Sequence, residues 1–229
     1  LKSSRRYLWL LAGSWLAGQG LWAQGLHYGA MAGVNVADLK WQPEPYIYPE
    51  PRLGLSAGGF ASIELDPRIQ LRAELAYAQK GGSATYTRIY SDSSSGLDVR
   101  SDYETRAEMS YMEFPLLLSY LIKREENQLG SLNIGAYGAW LLEAEAGTSV
   151  ISSFAGLASR FEYRLNRDDF RSLDFGLMAG ISFYFYNFDL NFRYSVGLRK
   201  AMDDPQGEVT RFLNPTNRVL SLSLGYQLR

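Results

Sequence analysis

The sequence has 229 residues, is 46% hydrophobic and carries a formal net charge of −1. That balance gives no electrostatic ground for nucleic-acid binding, and the length suits one domain, or at most two. With no cysteine and a single histidine, disulfides, thiolate or His-rich metal sites and most general-base schemes fall away.

The chain opens on Lys2, Arg5 and Arg6, followed by an apolar, small-residue run to Ala23. This pattern predicts a secretory signal peptide over 1–23, cleaved between Ala23 and Gln24. The run is too short and too broken by Gly and Gln for an anchor helix. With no cysteine after it, no lipid-anchored N-terminus is expected. Residues 24–229 then make one exported domain with no helix-type span.

Within that domain apolar and polar residues alternate with a period of two, the mark of strands with unlike faces. In chain order the predicted strands are 27–36, 52–65, 68–80, 111–122, 131–145, 171–185, 188–199 and 218–228. The clearest is 188–199, with Phe188, Leu190, Phe192, Tyr194, Val196 and Leu198 against Asp189, Asn191, Arg193, Ser195, Gly197 and Arg199. Eight strands of about 10 to 14 residues suit tilted membrane crossings.

The connections alternate in length. Asp66-Pro67, a polar turn at 123–128 and Tyr186-Asn187 are short, whereas 37–51, 81–107, 146–170 and 200–216 are long. Outer-membrane barrels have this arrangement, with short periplasmic turns and long external loops. The Pro-punctuated 41–51 reads as extended, and SDSSSG at 91–96 as a polar loop tip.

Period two also fits a soluble barrel with an apolar interior. Three features favour the inverse. The polar faces are rich in Gly, Ser and Ala, with isolated charges and few lysines. Tyr77, Tyr120, Phe183, Phe185, Phe188 and Tyr226 gather near strand ends, as in interfacial girdles. The loop asymmetry has no reason in a soluble barrel. The predicted fold is therefore all-β: an eight-stranded, antiparallel, up-and-down transmembrane β-barrel.

YMEFPLLLSYL at 111–121, Gly29, Gly33 and Asn35 of the first strand, DFGLMAG at 174–180 and the closing RVLSLSLGYQL carry a resemblance. The chain resembles the PorT-like outer-membrane β-barrel proteins of the Bacteroidota along nearly all of residues 24–229. The resemblance implies an outer-membrane location in a Gram-negative bacterium. It also raises an accessory role in a type IX secretion or gliding complex. Barrels of this kind commonly finish on an aromatic residue; this sequence finishes Tyr226-Gln227-Leu228-Arg229.

An eight-stranded barrel is just wide enough for side chains to fill it. The inward faces carry Glu64, Arg72, Glu74, Glu113, Glu143, Glu145, Asp174, Asp189, Arg193 and Arg199. Charges held away from water must be paired, so a lumen ion-pair network is expected, structural rather than catalytic. Glu113 should meet Arg72 or Arg193. Pro115, in a barrel without edges, should force a bulge or a missing ladder bond.

No enzyme is indicated. His27 sits at the periplasmic start of the first strand, and no phosphate loop or nucleophile elbow is present. Asp168-Asp169 and Asp203-Asp204 fall short of a calcium ligand set and read as solvated loop charges, so no metal or cofactor is expected. The expected surroundings are outer-membrane lipid and, by interaction, other envelope or secretion proteins, with a monomeric barrel. Besides a structural or interaction role, a narrow pore or small-ligand transporter stays open.

Overall fold

The computed structural model describes residues 25–40, 47–92, 97–124, 127–154, 157–201 and 216–228. The predicted signal peptide, part of the 91–96 tip and Asp203-Asp204 lie outside these residues. In chain order the strands are β1 (Leu26–Lys40), β2 (Ile47–Asp66), β3 (Ile69–Asp92), β4 (Leu97–Arg124), β5 (Asn127–Phe154), β6 (Leu157–Leu165), β7 (Leu173–Phe185), β8 (Phe188–Lys200) and β9 (Thr216–Gln227). Eight of them form a ring of antiparallel neighbours. It runs from β1 through β5 to β7, β8 and β9, and β9 closes on β1 with Ala32 opposite Leu224. β6 folds back on the upper part of β5 as an external hairpin, with Val150 opposite Phe161.

The alternation is inside-out for a water-soluble protein. On β7, Leu173, Phe175, Leu177 and Phe183 are about half exposed, while Asp174, Met178 and Ser182 are buried. β8 and β9 repeat the pattern, with Tyr194, Leu198 and Leu220 outward and Asn191, Arg193 and Ser223 inward. A closed ring satisfies every strand through its neighbours, which lipid cannot do. At the short-turn end Phe188 packs on Phe185 and Tyr226, with ring centroids 5.9 Å and 5.1 Å apart.

The long loops expected at 81–107 and 146–170 are a correction: most of both is strand. β3, β4 and β5 run for 24, 28 and 28 residues, and a tilted crossing needs only about ten. Their upper halves continue as a wall beyond the apolar band. Outside lipid both faces of a strand can be polar, so the hydrophobic period that reveals a strand fades there. The loop expected at 37–51 shrinks likewise, because β1 extends to Lys40 and β2 starts at Ile47.

Two irregularities set which side chains enter the lumen. Ser110 faces Glu143 but Tyr111 faces Leu141, so Leu142 is an extra residue in β5. A one-residue slip reverses every later side chain. Tyr137, Ala139 and Leu141 point in below it, and Ala144, Ala146 and Thr148 above it. Glu143 and Glu145, expected inside, are therefore outside and exposed.

At Pro115 the ladder between β3 and β4 lapses. Ala73 faces Leu116 and Ala76 faces Glu113, with no pairing recorded between, and the register resumes unchanged. Of the two outcomes expected for Pro115, the ladder gap is present and no bulge marks that seam. On its other side Pro115 keeps its place opposite Tyr137 of β5.

Candidate site in the barrel lumen

The lumen holds two layers of charge. In the layer nearer the short turns, β3 and β8 supply a four-membered cluster. Arg72 Nε donates to Glu74 Oε1 at 2.5 Å, and its Nη1 donates to Asp189. Arg193 grips the same Glu74 with two bonds, Nη1 to Oε2 at 2.6 Å and Nη2 to Oε1 at 2.7 Å. These side chains are 0–8% exposed. Two cations meet two anions, and the forked geometry of guanidinium on carboxylate makes the bonds directional. The Arg72 guanidinium also lies 3.7 Å from the centroid of the Phe60 ring. Gly225, opposite Asp189 on β9, leaves room for that carboxylate, which any added Cβ would strike.

Beneath this cluster a neutral chain fills the cross-section. Ser131 donates to Asn133 at 2.8 Å, Asn133 to Ser182 at 2.7 Å, and Ser182 to Asn191 at 2.6 Å. A search for charges passes over these residues. Their signal in the sequence is small amides and hydroxyls recurring on inward faces of neighbouring strands.

The second layer centres on Lys80, a β3 residue not anticipated among the interior charges. Its Nζ lies 2.5 Å from Glu113 and 3.6 Å from Asp174, and its side chain is 1% exposed. The rings of Tyr137 and Tyr111 stand 4.3 Å and 5.1 Å from the ammonium, within cation–π range. Asp174 Oδ2 accepts from Tyr137 at 3.1 Å and from Asn217 at 3.0 Å. Gly176 makes the Tyr137 position possible, since a Cβ there would come within 2.5 Å of the ring. The partner expected for Glu113 is thus corrected: Lys80, six residues beyond Glu74 along β3, reaches it instead.

The other anticipated residues stand apart. Glu64 is at the short-turn rim, 3.8 Å from His27, with about a third of each side chain exposed. His27 Nδ1 is also 2.5 Å from Gln227. Arg199 lies high on β8, half-buried and still in the inward row, where its Nη1 donates to the Leu173 carbonyl at 3.4 Å. The seam between β8 and β9 shifts register just there, between Val196 and Lys200, by two residues, so the inward row keeps its parity. Asp168 and Asp169 sit in a single 3-10 turn, Arg167–Asp169, with Asp169 bonded back to the Asn166 amide.

Chemically, the two layers fill the lumen, the lower pairing two cations with two anions and the upper setting one ammonium between two carboxylates. Their carboxylates are engaged by Arg or Lys, and among the described residues no group of three or more His, Cys, Asp or Glu is arranged to hold a metal.

A family model described as "Outer membrane protein beta-barrel domain" matches residues 22–203. The chain belongs to this outer-membrane β-barrel family. Three solved structures show the range of likeness. Ail, the attachment invasion locus protein of Yersinia pestis, is 15% identical over 90% of this chain and 99% of its own, with a TM-score of 0.41. Neisserial surface protein A is 14% identical over 89% and 99%, with a TM-score of 0.39. The outer membrane protease OmpT of Escherichia coli is more distant, at 10% identity over 89% and 95% and a TM-score of 0.30. These likenesses are too distant to speak to role. No curated protein matches the sequence.

For an outer-membrane barrel the outward apolar band is the lipid-facing surface, the short-turn end is periplasmic and the tall wall is external. The upper limit of the band is visible in the residues. Phe114, Trp140 and Leu142 are the large exposed apolar groups that end the continuous band on the outer faces of β4 and β5. Above them come Glu108, Glu143 and Glu145, with Arg52 bonded to Glu108 at 2.7 Å. Tyr77 marks the boundary itself, its hydroxyl 2.9 Å from Ser110.

Proposed function

We propose that this protein is a non-enzymatic outer-membrane barrel with a plugged lumen, whose role is structural or interactive and is carried by the external wall. One observation supports the reading above the others. The cluster of Arg72, Glu74, Asp189 and Arg193, with Lys80, Glu113 and Asp174 above it, occupies the lumen with side chains 0–13% exposed. An open water path would hydrate these groups. Planar-bilayer recording of the folded barrel tests it. The expected result is no steady conductance; a reproducible ohmic current would overturn the plug and favour the narrow-pore alternative.

The resemblance of 111–121 to PorT-like proteins supports a second, narrower reading, an accessory role beside a type IX secretion or gliding complex. Mild detergent extraction from the native envelope tests it, with co-purifying secretion proteins expected. Recovery of the barrel alone would sink it. In either case His27, at the periplasmic rim, carries no chemistry, so His27→Ala leaves the envelope lipid profile unchanged.

A further inference from the structure

Beyond the belt of Glu108, Glu143 and Glu145, the outward face of β2 to β5 no longer meets hydrocarbon. Yet Tyr48, Ile89 and Ile151 are exposed there, by 67%, 65% and 41%. They edge a cleft of about 910 Å³ whose lining also includes Thr87, Asp102 and Glu104. Pairing sets Tyr48, Thr85, Glu104 and Ser149 in one row across four strands, and Thr87, Asp102 and Ile151 in the next. Four strands span about 14 Å, so the cleft accepts a ligand larger than one ring. Exposed apolar groups rimmed by polar ones, outside lipid, mark a binding surface.

The floor is stiff before any ligand arrives. Thr87 donates to Asp102 at 2.6 Å, and Arg100 Nε lies 3.2 Å from both Asp102 oxygens. Tyr86 and Tyr103, which also contribute to the lining, stack with centroids 4.5 Å apart and planes 4° from parallel. Such preorganisation lowers the ordering cost of binding.

The lining also selects the ligand class. An extended peptide binds a sheet through the free backbone groups of an edge, and the middle of this floor is a sheet face whose β3, β4 and β5 ladders are paired. Recognition must come from side chains: a tyrosine ring and isoleucine methyls for apolar ring faces, hydroxyls and carboxylates for hydroxyl groups. Glu104 lies eight residues beyond Met112 along β4, about 20 Å higher at the usual rise and tilt. A surface facing sideways at that height looks onto the headgroups of neighbouring outer-leaflet lipids. We propose that the cleft binds the core saccharide of an outer-leaflet glycolipid. The inference rests on the wall being the interactive part of the molecule.

The test is direct binding of core oligosaccharide, released from lipopolysaccharide by mild acid, to the folded barrel in detergent. Saturable binding is expected, and Tyr48→Ala should weaken it about tenfold, the scale of a lost ring contact. Asp102→Asn should weaken it too, while Arg160→Ala, on β6 outside the cleft, should not. Heat-modifiable migration of every variant reports folding. No saturable binding by the wild type, or equal binding by Tyr48→Ala, overturns the site. Binding of intact lipopolysaccharide without binding of the released core overturns the saccharide assignment. Equally tight binding of a maltooligosaccharide overturns the glycolipid source. Bilayer conductance is blind to the cleft, so failure here leaves the plugged-barrel reading standing, and a conducting barrel leaves the cleft standing.

Discussion

Lys80 and Glu113 form an ion pair at 2.5 Å across the β3–β4 seam, just above the place where Pro115 interrupts the ladder. Glu113 borders the gap, opposite Ala76, and Lys80 reaches down to it from opposite Met109, so a side-chain bond bridges the strands beside the missing backbone bonds. Asp174, 3.6 Å from the same ammonium, ties β7 to this pair across the lumen.

Removing Lys80 should therefore be costly. Lys80→Met leaves Glu113 and Asp174 facing each other without a cation, and breaking a buried pair from one side costs about 3–5 kcal/mol. Urea unfolding in lipid vesicles should show a lower midpoint. Adding Glu113→Gln to Lys80→Met should recover part of the loss; no recovery would mean that packing against Tyr111 and Tyr137, not charge, holds Lys80 in place.

Glu74 accepts from two arginines, so Glu74→Ala strands Arg193 in the lumen and leaves Arg72 with Asp189 alone. A loss of about 3–5 kcal/mol is expected, larger than for Glu64→Ala at the half-open rim, where about 1 kcal/mol or less is expected. Equal effects in the same unfolding assay would contradict the burial difference between the two sites.

Pro115 already costs the barrel its ladder bonds toward β3. Pro115→Ala restores an N–H and removes some buried ring surface, so the two changes offset to within about 1 kcal/mol. A loss beyond 2–3 kcal/mol, on the scale of a large core truncation, would show that the proline ring carries the packing at this position.

The bulge at Leu142 can be read chemically, because the chain has no native cysteine. In single-cysteine variants on intact cells, Glu143→Cys and Glu145→Cys should react with a membrane-impermeant maleimide. Phe114→Cys, in the lipid band, should not. Unreactive positions 143 and 145 would return those side chains to the lumen.

The Thr87 hydroxyl above all holds Asp102 below the usual carboxylate range; desolvation opposes it, and Arg100 adds to the lowering. A depressed folded pKa gives stability that is present above the ordinary carboxylate value and is lost as pH falls through the folded one. The β3–β4 wall should keep its amide protection at neutral pH and lose it locally only in acid. Hydrogen exchange at Thr87 reads this, and protection unchanged to the lowest pH would discount the bond.

The membrane-crossing part was legible because lipid imposes a strict two-residue period: β7, β8 and β9 fall within a few residues of the spans read from alternation. Inward Arg72, Glu74, Asp189 and Arg193 followed from the same rule. Three things did not follow. The wall was hidden because its outward positions, such as Thr85 and Glu104, are polar, so no apolar outer stripe marks the strands there. Glu143 and Glu145 were assigned inward because a bulge leaves no mark in composition. Lys80 was missed as the partner of Glu113 because pairing depends on register between strands, which alternation within one strand does not reveal.

The uneven strand lengths have a last consequence. β7 and β8 end after 13 residues each, while β4 and β5 run to 28, so the rim is high on one flank and low on the opposite one. Such a molecule has a front and a back in the plane of the bilayer. Turning it about the membrane normal changes which flank a neighbour meets. A crowded membrane would sense that orientation, even though the band immersed in lipid is nearly the same all round.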